Sequence, residues 1–306
     1  MSRSLTLKNG RVVSFPAYIP VTTFGGKYPL DDLVRPYLPR LAPMAMVSMH
    51  YARQMKDSDR SPLPLMVDSG GFALLVTDAR LVEIPGSMGS VLGGLESRED
   101  DKVVLTTPND VLCFQEKVAD VGFTLDFPVP PGTDPAEAQR RVDLTIANAV
   151  WAANNRRRRD FALYGCIQGW DIPSYRDCAA ALVDLPFSGL AIGGLVPRVR
   201  DWDLVKKIVA QIRSMTDKPL HVFGIGKPEL VRELFAMGVD SVDSSSYVQY
   251  AAQGKSWGGN SISDPAVTDQ VSMAIENLAN ACESRLPLSS YRFFTGERAL
   301  RQQNSI

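Results

Sequence analysis

Apolar and polar positions fall in blocks along this chain. Eight short, largely apolar runs recur at 15–21, 45–50, 65–68, 122–126, 161–169, 189–194, 220–226 and 239–244. Runs of this length, apolar at consecutive positions, read as strands buried on both faces. Two prolines in 15–21 make that run the least regular strand. Stretches of helical character follow most of the strands. One opens at Pro29-Leu30-Asp31-Asp32, with acids in its first turn. Thr107 caps a second, which runs through Phe114 and Val118. Further helices are expected at 134–155, 174–185, 201–215 and 228–237, the last with Gly238 just past its end. Leu5 to Val13, with Asn9-Gly10 at its centre, reads as a hairpin. Residues 78–104 carry glycines and no clean period, so they read as an inserted loop or small hairpins. A long helix is expected at 267–285, in the tail. Eight short apolar strands, most followed by a helix, predict an α/β protein of the (β/α)8 TIM-barrel class. The barrel would span about 15–245 of a single domain covering 1–306, with a helical C-terminal extension over about 246–306.

Composition narrows the class. The chain has 306 residues, 45% hydrophobic and 22% charged, ample for a globular core. No apolar run approaches the roughly 18 residues of a membrane helix, and the first residues show no signal-peptide h-region. A cytoplasmic protein with no membrane partner is expected. The four cysteines and two histidines are scattered rather than clustered, so the sequence implies no metal and no cofactor. Net charge is −1, which advertises no global field for a polyanion. Two local basic clusters stand out: Arg156-Arg157-Arg158-Arg159, and the later Arg292, Arg298 and Arg301. Each reads equally as a nucleic-acid patch or as a solvated helix end.

Candidate chemistry sits at the strand ends. In a barrel, Asp68, Asp126, Gln168, Gly193-Gly194 and Asp243 would converge on one mouth. Carboxylates accept from the N–H groups of a heteroaromatic base, and Gln and backbone N–H groups donate to its carbonyl. Glycines allow a flat ring to approach the backbone. Phe72 and Phe223 would cover its faces, or be plain core. Bland alternatives stand beside these roles. Asp126, before Phe127-Pro128, also suits a turn; Gln168 also suits pairing of buried backbone; Asp243 also suits a structural pair with an arginine. Asp240 rivals Asp243 as a nucleophile and is read as supporting. Gly224-Ile225-Gly226 also suits a phosphate site in a metabolite enzyme.

Four segments in order, Asp68-Ser69-Gly70-Gly71-Phe72, Gly165-Cys166-Ile167-Gln168-Gly169, Ala191-Ile192-Gly193-Gly194-Leu195 and Gly238-Val239-Asp240-Ser241-Val242-Asp243, resemble the tRNA-guanine transglycosylase family. The resemblance runs from about Phe15 to Ser244. It implies base exchange, guanine being replaced by a 7-deazaguanine in a nucleic acid. Asp243 matches the nucleophile that forms a covalent glycosyl intermediate. Asp68 matches the general acid/base. Ser69, Gly70, Phe72, Asp126, Gln168, Gly169, Gly193, Gly194, Leu195 and Phe223 match the base-binding surroundings. Two successive inversions would give net retention.

The chain departs from the family pattern at three points. Ala73 replaces a glutamine after Phe72, and Ser48 replaces an asparagine on the second strand. The zinc-binding cysteine cluster that follows the nucleophile in the tRNA enzymes is missing. The resemblance is therefore closest to the relatives that lack the zinc module and insert 7-deazaguanines into DNA. DNA is the expected partner, with tRNA as the alternative. A homodimer or partner proteins stay open, as does a non-catalytic subunit of such an enzyme.

Overall fold

A computed structural model describes residues 3–24, 27–55, 63–99, 102–158 and 160–282. Eight strands form one parallel sheet: β3 (Ala17–Pro20), β4 (Ala45–Ser48), β5 (Leu65–Asp68), β9 (Val121–Phe123), β10 (Ala162–Ile167), β11 (Gly189–Ile192), β12 (Leu220–Val222) and β13 (Ser241–Ser244). Each strand pairs with the next, and β13 returns to β3, with Asp243 opposite Ile19. The remaining seam, between β3 and β4, is closed by a parallel bridge from Val21 to Met46. There the amide of Thr22 donates to the Met46 carbonyl at 2.8 Å. The fold is a (β/α)8 barrel.

Side-chain alternation divides the core in two. Ile19, Met46, Met66, Phe123, Tyr164, Cys166 and Ala191 fill the barrel interior. Val47, Val67, Leu163, Ile192, Val222 and Val242 face outward, against the surrounding helices. In chain order the described α-helices as far as β13 are α1 (Leu30–Val34), α2 (Leu38–Leu41), α3 (Met49–Ala52), α4 (Ala73–Val76), α5 (Pro108–Val118), α6 (Pro135–Asn155), α7 (Ile172–Leu182), α8 (Trp202–Arg213) and α9 (Pro228–Ala236). The expected capping by Thr107 is present, reciprocated by Asp110.

The hairpin of β1 (Ser4–Thr6) and β2 (Val12–Ser14) forms as expected and adds Leu7 and Val13 to the interior layer. It lies at the end of the barrel where strands begin. There Arg3 reaches the Asp240 carboxylate at 3.0 Å, and Asp240 also accepts from the Leu220 amide at 2.9 Å. Asp240 thus belongs to the closed end, not to the mouth where strands finish. Of the two readings of residues 78–104, an inserted loop or small hairpins, the structure has the hairpins. They contain β6 (Arg80–Pro85) and β7 (Val91–Glu99), which with β8 (Lys102–Thr106) build an antiparallel three-stranded sheet.

The C-terminal helix α11 (Val267–Ala281) packs on α10 (Ser246–Ala252). Asn277 buried between them donates to the Tyr247 carbonyl at 3.0 Å and accepts from the Trp257 amide at 2.6 Å. Of the arginine run, the Arg157 and Arg158 amides cap onto Glu116, at 2.7 and 3.0 Å, tying the end of α6 to α5. Gly25-Gly26, Arg159, the last turn expected of the tail helix, and Arg292, Arg298 and Arg301 lie outside the described residues. No described helix is long and apolar enough to cross a membrane.

Candidate active site

Asp68 ends β5, so its side chain emerges at the mouth, where it is half-buried. Its Oδ2 accepts from the Gly70 amide at 3.3 Å. Burial is the main influence on this carboxyl, and the negative charges of Asp126 and then Asp243 add to it; together they push it up to about 7. A carboxylic acid poised there can hold or release a proton near neutrality.

Asp243 is the third residue of β13, and alternation turns Ser241 and Asp243 to the inside while Val242 faces the helices. Asp243 Oδ1 accepts from the Gly224 amide at 3.0 Å and lies 3.0 Å from His221 Nε2. The other ring nitrogen of His221, Nδ1, lies 2.8 Å from Ser241 Oγ. With its amide turned onto Asp243, Gly224 has no donor left for the phosphate alternative.

The second group surrounds Asp126. Its strand, β9, ends at Phe123, so the three residues that follow carry Asp126 into the pocket. Helix α6 fixes that path. Asn148 Nδ2 donates to the Leu125 carbonyl at 3.1 Å, and the Phe127 amide donates to Thr145 Oγ1 at 3.0 Å. The Asp126 carboxylate accepts from Ser69 Oγ at 2.9 Å and from Gln168 Nε2 at 2.6 Å. Burial raises its proton affinity, and these two hydrogen bonds oppose the rise. Gln168 Oε1 is buried without a hydrogen-bond partner among the described residues. Such an atom suits a ligand donor.

Gly193 packs so closely on Gln168 that a Cβ there would overlap Nε2. The carbonyls of Gly193 and Gly194 are taken by Tyr175 Oη at 2.8 Å and Arg198 Nη1 at 2.6 Å. Arg198 is buried and also donates to the carbonyls of Val129, at 2.9 Å, and Trp170, at 3.3 Å. One guanidinium therefore ties together the loops that follow β9, β10 and β11.

Most expected residues meet here. Ser69, Asp126, Gln168 and Gly193 form one contact network, with Gly169 packed on Tyr175 behind it, and Asp68 feels the charge of Asp126 and Asp243 alike. Leu195 has a wholly buried side chain, so only its backbone is available to a ligand. Phe72 is 50% exposed at the rim, not buried core. Phe223 sits lower, edge-on to Phe123 and His221 with centroids 4.9 and 4.8 Å apart. Just past the end of β12, it packs against the interior layer and stays partly exposed. The sequence reading missed His221, Ser241, Asn148 and Arg198. The alternation of β12 and β13 was the one available signal, since it puts His221, Ser241 and Asp243 on the interior side. Among the described residues, no group of three or more His, Cys, Asp or Glu is arranged to hold a metal.

This barrel with its paired acids belongs to a defined family: the model described as queuine tRNA-ribosyltransferase matches residues 36–282, and the chain is a member. Among its relatives is the tRNA-guanine(15) transglycosylase of Methanothermobacter thermautotrophicus, 29% identical over 178 residues, 56% of this chain and 27% of the relative. The enzyme of the same name from Methanosarcina barkeri is 31% identical over 198 residues, 63% of this chain and 35% of the relative. That from Methanopyrus kandleri is 33% identical over 148 residues, 46% of this chain and 32% of the relative. The chain thus spans about a third of the length of these curated relatives.

Proposed function

We propose that this protein exchanges a guanine in a nucleic acid for a 7-deazaguanine, through a covalent bond between Asp243 and the ribose or deoxyribose. Asp243 attacks the anomeric carbon while the glycosidic C–N bond breaks, and the proton held by Asp68 goes to the departing base. The incoming base then gives an N–H proton to Asp68, its nitrogen bonds to the anomeric carbon, and Asp243 leaves as a carboxylate. Two inversions give net retention. Asp126, Ser69, Gln168 and the Gly194-Leu195 backbone bind the base edge, Gly193, whose amide donates to the Ile167 carbonyl, shapes the wall beside them, and Phe72 covers the base from the rim. The target nucleotide has to leave its stack to enter.

The observation that carries this reading is the state of Asp68. Its proton affinity is tuned to about 7 by burial and by the other two acids at the same mouth.

The relatives are named for tRNA, and we take tRNA as the polymer in preference to DNA. The DNA reading keeps one support: residues 244–281 contain no cysteine, where the tRNA enzymes that the sequence resembles carry their zinc cluster. Labelled guanine incubated with the protein and either tRNA or duplex DNA separates the two. Label in tRNA alone is expected. Label in DNA alone overturns the choice of polymer, and label in neither overturns base exchange.

A further inference from the structure

We infer that His221 is a positioning residue for Asp243, and that Ser241 sets its tautomer so that the attacking oxygen is Oδ2. The inference rests on the transglycosylase reading for its kinetic part, and on geometry alone for its tautomer part.

The two carboxylate oxygens of Asp243 differ. Oδ1 is held by the Gly224 amide at 3.0 Å and by His221 Nε2 at 3.0 Å. Oδ2 has no hydrogen-bond partner among the described residues. An oxygen engaged by two donors is the poorer nucleophile, so the free one faces the sugar. Which nitrogen of His221 carries the proton then matters. A neutral imidazole donates from one nitrogen and accepts at the other. Ser241 is wholly buried, and His221 Nδ1, at 2.8 Å, is the one hydrogen-bond partner of its hydroxyl among the described residues. A buried hydroxyl without an acceptor is costly. Ser241 therefore donates to Nδ1, which fixes the proton on Nε2, and Nε2–H donates to Asp243. The ring cannot turn away, because it is wholly buried, edge-on to Phe223 and packed at a tilt against Phe123.

The arrangement acts in both half-reactions. As the Oδ2–carbon bond forms and the bond to guanine breaks, Oδ1 becomes the ester carbonyl and keeps both donors. When the incoming base displaces Asp243, the electron pair of the Oδ2–carbon bond returns to the carboxylate. The same two donors then stabilise the charge that develops on it. The Nδ1–H tautomer would instead turn a lone pair toward Oδ1 and weaken both steps.

The chain has two histidines, so uniform ¹⁵N-histidine labelling gives two ring systems, and a His50→Gln sample assigns them. The neutral Nε2–H form is expected for His221 in the unaltered protein, and a mixture of tautomers in Ser241→Ala. An Nδ1–H ring in the unaltered protein overturns the inference whatever the substrate is.

In single-turnover exchange on tRNA, His221→Phe keeps the aromatic packing and removes the donor. It is expected to lower the rate about tenfold to a hundredfold with KM for the base unchanged. His221→Gln restores an N–H near Nε2 and recovers most of the loss. A folded His221→Phe protein working at the unaltered rate, or a Gln variant no better than Phe, overturns the positioning role. An unaltered protein that labels no polymer rejects base exchange itself, and the tautomer result then stands or falls alone.

Discussion

The side-chain amide of Gln168 donates to Asp126 Oδ2 at 2.6 Å, across the gap between the loops after β9 and β10. This bond holds a buried acid in place before any base arrives. Asp126→Ala removes the acceptor of both the Gln168 side-chain amide and the Ser69 hydroxyl. Its KM for the base is expected to rise about tenfold to a hundredfold, the range for one hydrogen bond to a charged group. Exchange kinetics at varied base concentration check this; an unchanged KM would remove Asp126 from base recognition.

Asp68 makes the reaction pH-dependent. Its carboxyl is raised from 3.8 to about 7, first by burial and then by Asp126 and Asp243. The first half-reaction needs the protonated acid, so the rate of guanine departure should fall as pH rises through 7. Stability follows the same group. Between about 4 and 7 the native state holds a proton that the unfolded chain has released, so stability drops across that window as pH rises. Three pH units correspond to roughly 4 kcal/mol, and the effect is smaller here because the carboxyl stays open to solvent at the mouth. Asp68→Asn should therefore exchange far more slowly yet melt at a higher temperature at pH 8, with little difference at pH 4. Scanning calorimetry at the two pH values measures the second effect.

Arg198 tests whether the pocket is pre-formed. Its buried guanidinium donates to carbonyls of three loops. Arg198→Ala strands those carbonyls and should cost about 2–4 kcal/mol of stability, read by urea unfolding. Arg198→Lys should rescue little, because an ammonium cannot span three acceptors fixed for a planar fork.

Gly193 tests the packing of the pocket wall. A Cβ on this residue overlaps Gln168 Nε2, so Gly193→Ala must push the amide away from Asp126. The expected result is a base KM close to that of Gln168→Ala, with a smaller loss of stability than at Arg198. An exchange assay on both variants decides it.

Much of this architecture was legible from the chain, and the exceptions have physical causes. Asp68 and Asp243 could be placed because each lies at the carboxyl end of an apolar strand, and a barrel brings strand ends together. Asp126 was read as the end of the strand 122–126, but that strand stops at Phe123 and the position of Asp126 depends on Asn148 and Thr145 of α6, contacts that no local pattern encodes. The sheet at 80–106 was legible only as a loop or small hairpins, because Gly93 and Gly94 break the apolar rhythm of β7. Gly93 is there for packing, since a Cβ would overlap the Phe127 ring. His221 was read as part of an apolar strand. Only the pairing of β12 with β13, which sets His221 beside Ser241, discloses its partners.

The bond between Asp243 and the sugar is the centre of the account. The most direct measurement quenches the protein on its polymer with denaturant, digests it, and maps any nucleotide adduct by peptide mass spectrometry. The account predicts an adduct on the peptide carrying Asp243, labile to added base before the quench and absent from Asp243→Ala. An adduct on another residue, or exchange at the unaltered rate by Asp243→Ala, would contradict it.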